Sequence, residues 1–288
     1  MNNPEHFFNR AEKLLDKLEG LLPGASAPLD WDAAIAFRWR KRGNLGFIAA
    51  VSHPHKISLK DLQGIDAQKK RIDQNTRQFV AGHPANNVLL TGARGTGKSS
   101  LVKAVLNKYA GKGLRLIEVD KHDLTDLHDI VDLVGKRPER FIIYCDDLSF
   151  EADEPGYKAL KVVLDGSIAT AGDNVLVYAT SNRRHLMPEY MADNLDTRHL
   201  EGEIHPSESV EEKISLSERF GLWVSFYPFD QDQYLNIVAT WLANFGYADM
   251  TPDIRAAALQ WALSRGSRSG RVAWQFARDY AGQHAGRK

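Results

Sequence analysis

The sequence predicts an α/β protein in which helices flank a parallel, P-loop-type sheet, with an N-terminal helical extension and a small all-helical C-terminal lid. Three observations predict this fold class. Five short apolar runs alternate with stretches long enough for crossover helices. A glycine-rich loop, GARGTGKSS, follows the first of these runs, and no strand-like run occurs after Phe229. The predicted domains are therefore 1–60, 61–229 and 230–288.

Residues 1–60 are predicted to be helical. Asn3 can cap a first helix with Pro4 at its first position, and apolar residues recur at helical spacing up to Gly20. We expect a second helix to begin at Asp30 and to end at Gly43. Its last turn would carry cations that complement the helix dipole, namely Arg38, Arg40, Lys41 and Arg42.

The middle of the chain supplies the predicted sheet. Its five strand-like runs are NVLLTG, LRLIEVD, FIIYCDD, NVLVYATSN and LWVSFYP. After Pro228 the sequence is helical in pattern through DQYLNIVATWLANFG, PDIRAAALQWALSRG and SGRVAWQFARDYAG. Three tryptophans on these helices are expected to be packing residues: Trp241, Trp261 and Trp274.

Composition excludes several classes of protein. Basic and acidic residues balance at 37 each, which disfavours a dedicated nucleic-acid binder. Cys145 is the only cysteine, so no intramolecular disulfide can form, and we expect a buried, inert thiol. His53 and His55 lack further ligands at a zinc spacing. No apolar run is long enough to span a membrane, so we expect a cytoplasmic protein with no membrane partner.

The loop GARGTGKSS carries the strongest chemical signal. Gly92, Gly97, Lys98 and Ser99 fit the pattern G-x-x-x-x-G-K-[ST], with a strand before the loop and a helix after it. Such a loop turns its backbone N–H groups around a β-phosphate, while its lysine reaches the β- and γ-oxygens and its serine binds magnesium. ATP and Mg²⁺ are the predicted ligands. The predicted nucleotide contacts here are Gly92, Ala93, Arg94, Gly95, Thr96, Gly97, Lys98, Ser99 and Ser100.

Polar residues end two further strands. Asp146 and Asp147 follow the apolar run FIIYC about fifty residues after the P-loop, where Asp146 is expected to hold magnesium together with Ser99. Asp147 is placed to orient or deprotonate an attacking water. Asn182 follows the next strand and is a candidate to contact the γ-phosphate or this water, although an asparagine at a strand end commonly begins a turn.

The order of these motifs resembles the AAA+ ATPase superfamily over residues 61 to 280. Beside the two Walker motifs and a sensor-one asparagine, the segment SLSERFG at 215–221 resembles S-x-R-F, which implies that Arg219 is an arginine finger completing a neighbour's site in a homo-oligomer. RSGRVAWQF resembles the sensor-two segment, with Arg271 as the phosphate sensor and Arg268 as its competitor. By the same resemblance, Gly64 and Ile65 would contact the base.

The chain is most similar to an uncharacterised bacterial AAA+ family defined as a domain of unknown function. Its Walker B motif ends in Asp-Asp where most AAA+ proteins have Asp-Glu, so slow or partner-stimulated hydrolysis is expected. Between Val119 and Phe141 there is no aromatic-hydrophobic-glycine pore loop, which argues against an unfoldase. The predicted activity is ATP hydrolysis that drives or switches the assembly or remodelling of an unknown client.

Two other functions stay open. One is a nucleic-acid-associated helicase loader or initiator, prompted by Asp146-Asp147 and by FRWRKRG at 37–43, where cations alternate with aromatic residues. The other is a P-loop kinase that transfers the γ-phosphate to a small molecule.

Overall fold

A computed structural model describes residues 29–43, 45–150, 154–165, 173–183, 186, 198–200, 203–205, 216–247 and 249–285. The predicted first helix, Asn3 to Leu18, lies outside these residues. The chain divides into two compact units, Met1–Ala34 and Ile35–Lys288. Of the first unit only residues 29–34 are described, and in them the Asp30 carboxylate accepts hydrogen bonds from the backbone N–H groups of Asp32 and Ala33. The other described residues belong to the second unit.

A seven-stranded sheet forms the centre of this unit. The strands are β1 Ala36–Arg42, β2 Leu45–Ala50, β3 Val88–Gly92, β4 Leu114–Glu118, β5 Arg140–Cys145, β6 Val175–Ser181 and β9 Leu222–Phe226. Their order in the sheet is β2-β1-β4-β5-β6-β3-β9, and all neighbours pair in parallel except β1 and β2, which are antiparallel. A separate antiparallel pair is formed by β7 Arg198–Leu200 and β8 Glu203–His205. The parallel α/β sheet is thus confirmed.

Helices occupy the crossovers between the parallel strands and the end of the chain. Over the described residues they are α1 Asp66–Val80, α2 Lys98–Tyr109, α3 Leu127–Val134, α4 Pro155–Asp165, α5 Gln231–Asn244, α6 Pro252–Ser264 and α7 Gly270–Gln283. The central strands are buried along nearly their whole length because helices cover the parallel sheet. Within the described part of the chain, no helix has both the length and the apolarity to cross a membrane.

The predicted helix from Asp30 to Gly43 is wrong, since residues 36–50 form a β-hairpin at the edge of the sheet. Phe37 and Trp39 alternate with arginines and are buried at 0% and 3% exposure, which is the two-residue period of a strand. Gly43 has a φ of +62°, as a tight turn requires. Gly43 thus lies in the turn between two strands and does not end a helix.

This hairpin also overturns the predicted boundary between residues 60 and 61. Residues Ala36–Arg38 of β1 pair in parallel with Leu116–Glu118 of β4, so the hairpin is part of the core sheet. The compact unit accordingly begins at Ile35. The backbone hydrogen bonds between β1 and β4 therefore exclude a helical extension over the whole of 1–60.

The hairpin depends on Gly46, which lies opposite Lys41 and beside the indole of Trp39. A Cβ atom at Gly46 would lie 1.9 Å from Cζ2 of Trp39. The ring cannot easily move away because its Nε1 donates a hydrogen bond to Asp126 at 2.9 Å. Glycine at position 46 is thus required for the tryptophan to lie across the strand.

We expect Gly46→Ala to lower the free energy of unfolding by about 1–3 kcal/mol, the usual cost of overpacking a filled site. Chemical denaturation monitored by circular dichroism measures this loss. Gly111→Ala is the matched control, since no atom lies within 4 Å of a Cβ there, and its effect should stay within about 0.5 kcal/mol. Equal effects of the two substitutions would contradict the role of Gly46.

The all-helical C-terminal segment is confirmed, and its helix starts follow from capping residues. Asp230, Thr251 and Ser269 cap α5, α6 and α7 by accepting hydrogen bonds from backbone N–H groups of the first turns. Trp261 packs edge-on against Phe276, with ring centroids 6.0 Å apart, as expected of a packing residue.

Candidate nucleotide-binding site

A cavity of about 960 Å³ opens at the carboxyl ends of β3, β5 and β6. Ligands bind at this edge of parallel sheets because the loops that leave the strands there are free to vary. The cavity is lined by the P-loop from Arg94 to Ser100, by Asp146, Asp147, Thr180 and Asn182, by residues 55–57 and 61–65 with gaps, and by α5 and α7. Residues distant in sequence therefore enclose one volume.

The Lys98 ammonium group lines this cavity. Its Nζ donates hydrogen bonds to the carbonyl oxygens of Gly92 and Ala93, at 2.7 and 2.8 Å, and to Oδ1 of Asn182 at 3.0 Å. Burial lowers the pKa of Lys98 to about 8, helped by Arg94 and Arg271 and opposed by Asp147 and Asp146. A phosphate that enters the cavity can replace these oxygen atoms as a hydrogen-bond acceptor for the Lys98 ammonium group.

The Asp146 carboxylate is fixed by three hydroxyl groups. Ser99 Oγ and Tyr144 Oη donate to its Oδ1 at 2.8 and 2.7 Å, and Thr180 Oγ1 donates to the same oxygen. Burial acts to raise the pKa of Asp146, but the hydrogen bonds from Thr180, Tyr144 and Ser99 outweigh it and leave the pKa below its usual value. The predicted pair Ser99 and Asp146 is brought together, whereas Tyr144 and Thr180 were missed.

Asp147 lies beside Asp146 in an unusual backbone conformation, with a φ of +53°. The backbone N–H of Asp147 donates to Thr180 Oγ1 at 2.9 Å, which holds this turn. Its carboxylate accepts a hydrogen bond from Asn182 Nδ2 and lies 3.6 Å from the guanidinium of Arg94. Left-handed conformations of non-glycine residues cluster at functional sites. Lys98, Asn182 and Asp147 thus form one connected network.

The start of α7 lies against the P-loop. The backbone N–H of Gly270 donates to the carbonyl oxygen of Gly95 at 2.8 Å, and a Cβ at Gly95 would lie 2.8 Å from Ser269. Glycine at position 95 therefore permits this close contact. Arg271 lines the cavity, whereas Arg268 is not among its lining residues. Of the two candidate sensors, only Arg271 is placed beside the phosphate loop.

Part of the cavity lining is apolar. Ile65 and Phe229 line the cavity. Gly64, which precedes Ile65, has a φ of +74° and lies against the ring of Phe229. Two tryptophans expected only to pack, Trp241 and Trp274, line the cavity from α5 and α7. Trp274 follows Arg271 by one helical turn, and residues at i and i+3 lie on the same face of a helix. This spacing was the sequence signal that Trp274 lies on the same side of α7 as Arg271.

Arg219 does not lie in this cavity. It precedes β9 at the amino-terminal end of the sheet, where Leu222 donates to the carbonyl oxygen of Asn87 and pairs with Val88. The P-loop leaves the other end of β3, and the five residues of each strand separate the two ends by about 15 Å. Arg219 is therefore remote from the cavity, and its Nε donates a hydrogen bond to Asp165 Oδ1 at 2.5 Å.

Three of the four cations of residues 37–43 have intramolecular partners. Arg38 forms an ion pair with Glu118, and Lys41 with Asp126 at 2.7 Å and Asp123 at 3.4 Å. The Arg42 guanidinium lies 5.9 Å from the ring centroid of Phe47. Much of the positive charge that suggested nucleic acid is thus balanced by this chain's own residues.

Residues 32–284 match the model of the family described as "Protein of unknown function (DUF815)". Among curated proteins, the replication factor C large subunit of Methanococcus maripaludis strain C7 is 29% identical over 127 residues, 40% of this chain and 26% of that protein. The strain C5 protein is 30% identical over the same shares. The match thus spans about a quarter of the length of these relatives.

Solved structures with the same fold include a mutant of Thermotoga maritima RuvB, with a TM-score of 0.50 and 14% identity over 77% of this chain and 63% of that one. The Aeropyrum pernix ORC1 protein in complex with DNA has a TM-score of 0.53 and 17% identity, over 79% and 62%. This chain covers less than two thirds of either structure. At such identities the likeness establishes the fold, which is that of the AAA+ ATPases.

Proposed function

The chain belongs to the DUF815 family and has an AAA+ fold, and from the geometry of its phosphate loop we propose that it binds Mg-ATP and hydrolyses it to switch or drive assembly of a client. The observation that carries this proposal is the meeting of the Ser99–Asp146 pair with the Lys98–Asn182–Asp147 network in one cavity. These groups supply the separate functions that phosphoryl transfer requires.

The Ser99–Asp146 pair fits a magnesium ion. Mg²⁺ prefers oxygen ligands and is commonly held by one or two protein groups together with substrate phosphates. Asp146 has a lowered pKa and is therefore anionic, and the Ser99 hydroxyl is its neighbour at 2.8 Å. No group of three or more His, Cys, Asp or Glu residues in the described ranges could hold a metal ion by itself. When bound, the ion neutralises charge on the phosphates.

Asp147 and Asn182 are the proposed hydrolytic pair. Asp147 orients or deprotonates the water that attacks the γ-phosphorus, and Asn182 holds either the γ-phosphate or that water. In the structure the two side chains are hydrogen-bonded to each other, while Asn182 also accepts from Lys98. An entering γ-phosphate would compete for the hydrogen bonds of Lys98 and Asn182. Nucleotide binding would therefore release Asp147 from Asn182, so that its carboxylate can orient or deprotonate the attacking water.

The remote position of Arg219 supports a homo-oligomer. Its charge is needed where the γ-phosphoryl group carries developing charge, yet it lies at the opposite end of its own sheet. Arg219 would therefore act on the nucleotide of an adjacent subunit. Lid motion that follows nucleotide state would act through α7, whose first residues contact Gly95.

The tryptophans in the cavity provide an optical test of nucleotide binding. We expect ATP to change the intrinsic fluorescence, because Trp241 and Trp274 line the proposed site. The change should disappear in the Trp241→Phe, Trp274→Phe double variant when titrated with ATP and magnesium. Trp261→Phe is the matched control, since Trp261 packs against Phe276 within the lid, and it should keep the change. Loss of the change in the control alone would place the nucleotide elsewhere.

A nucleic-acid-associated loader is the second candidate, because this chain resembles proteins whose names include a replication factor and an ORC1 protein in complex with DNA. The ion pairs of Arg38 and Lys41 weaken the support from 37–43. If that hypothesis is correct, DNA binding falls with salt and with loss of Arg38, Arg40 and Arg42.

Phosphate release and particle mass, measured together with and without ATP and single-stranded DNA, test both proposals. We expect ATP to promote assembly, and Arg219→Ala to lower turnover while ATP still binds. Turnover that is unchanged in Arg219→Ala would reject the shared site, and transfer of phosphate to a metabolite would indicate a kinase. Stimulation by DNA at low salt would favour the loader over a protein-directed switch.

A further inference from the structure

An ion pair joins two segments at the amino-terminal end of the sheet. Arg219 Nε lies 2.5 Å from Asp165 Oδ1, although the two residues are 54 positions apart in sequence. We propose that Asp165 is a positioning residue that orients the Arg219 guanidinium for the ATP of a neighbouring subunit. This inference rests on the proposed function, because it requires Arg219 to act in trans.

The backbone that carries Arg219 is held by buried neighbours. Leu216 and Phe220 are 0% and 3% exposed, and the N–H of Arg219 donates to the carbonyl oxygen of Leu216 at 3.3 Å. Gly221 lies so close to Asn86 that a Cβ would be 2.4 Å from Oδ1 of that side chain. The position of the Arg219 Cα is therefore set by packing.

Asp165 constrains the Arg219 side chain at its Nε. An arginine side chain has several rotatable bonds, and a guanidinium works on a phosphate through a planar fork of donors. A carboxylate at Nε orients the plane of this fork from the side nearest the main chain. Ordering the side chain before the phosphate arrives lowers the entropic cost of the transition-state contact.

The partial exposure of the Arg219 and Asp165 side chains distinguishes a positioning role for Asp165 from a role in folding stability. The side chains of Arg219 and Asp165 are 25% and 46% exposed. Ion pairs in such positions contribute little to folding stability because solvent screens them and both side chains lose freedom. Removal of the Asp165 carboxylate should therefore leave the fold intact, so that any large loss of turnover reports on the position of Arg219.

Asp165 also links Arg219 to the helix that follows Asp146 and Asp147 in the chain. It is the last residue of α4, the helix between β5 and β6. The start of α4 packs on the segment before α3, since a Cβ at Gly156 would lie 3.2 Å from Leu124. A rigid element of the same subunit thus holds the carboxylate that orients Arg219.

Steady-state kinetics of Asp165→Ala give the first test. We expect kcat to fall roughly tenfold with KM for ATP unchanged, because the residue acts on the transition state in the next subunit. Asp165→Glu should restore part of the rate, and in an Arg219→Ala background Asp165→Ala should cause no further loss. Asp232→Ala is the matched control, since it removes an exposed Arg–Asp pair on the lid, with Arg255, and should leave kcat unchanged.

Mixed assemblies give the sharper test. Subunits with Lys98→Ala are expected to bind ATP weakly and to lose turnover at their own site but to keep Arg219, whereas Arg219→Ala subunits are expected to bind ATP and lack the finger. A mixture of the two should recover turnover at sites built from both. Adding Asp165→Ala to the Lys98→Ala subunit, the finger donor, should lower this recovered turnover, whereas adding it to the Arg219→Ala subunit should not.

The possible outcomes separate this inference from the function on which it rests. No recovered turnover in the parent mixture, with assembly intact, would overturn the shared site itself. Recovered turnover that is indifferent to Asp165→Ala, or equally reduced on either subunit, would overturn the positioning role and leave the shared site in place. A fall in the melting temperature that accompanies equal reduction on both subunits would identify Asp165 as structural.

Discussion

Lys98→Ala is expected to raise the Kd for ATP about 100-fold, which corresponds to about 3 kcal/mol. The Lys98 ammonium is a buried cation that lines the cavity, and we expect it to exchange the carbonyl oxygens of Gly92 and Ala93 for phosphate oxygens when ATP binds. Isothermal titration calorimetry with ATP and magnesium measures the change. Turnover should be lost with binding.

Lys103→Ala is the matched control for Lys98, because Lys103 lines the same cavity on the same helix and carries the same charge. Its effect on the Kd should be less than tenfold, since a more distant cation contributes only through screened electrostatics. Equal losses from the two substitutions would mean that net charge, rather than the contacts of Lys98, holds the nucleotide. The melting temperature of each variant shows whether the loop is still folded.

Asp147→Asn is expected to reduce kcat about 100- to 1000-fold while the Kd for ATP changes little, which is the result of removing a general base. Asparagine has the same shape and tolerates the φ of +53° found at this position, so the turn should be retained. Single-turnover phosphate release and ATP binding, measured on one preparation, separate the two effects. Particles of this variant should stay in their ATP-bound state of assembly.

Asp146→Asn distinguishes the two neighbouring carboxylates. Because Asp146 is the proposed magnesium ligand, its loss should raise the magnesium concentration needed for half-maximal binding of ATP. Asp147→Asn should not alter that concentration. Wild-type turnover in Asp147→Asn would show that another group activates the water and would remove Asp147 from the proposed mechanism.

The P-loop, the strands after it and the paired aspartates follow from short stretches of sequence. In each, the signal and the structure are local: glycines and a lysine at set spacing form the loop, and an apolar run followed by acidic residues forms a buried strand with polar residues at its end. Parallel strands end at one edge of the sheet, so Ser99, Asp146 and Asn182 were expected to meet. The capped lid helices were predictable for the same reason.

The hairpin shows where local patterns mislead. Cations before Gly43 fit both the end of a helix and the turn of a hairpin, and the decision came from long-range pairing of β1 with β4. Once β1 lies at the sheet edge, Phe37 and Trp39 are buried and Arg38 and Lys41 meet acidic partners from other segments. Tertiary context thus overrode a helical pattern.

The sequence by itself determined which residues we propose to hold a triphosphate, because those residues belong to one contiguous loop and to the ends of two strands. Only the tertiary structure decided that Trp241 and Trp274 face the cavity, that Tyr144 and Thr180 fix Asp146, and that Arg219 meets Asp165. These contacts join residues whose spacing carries no signal, since chain topology rather than local periodicity brings them within hydrogen-bonding distance.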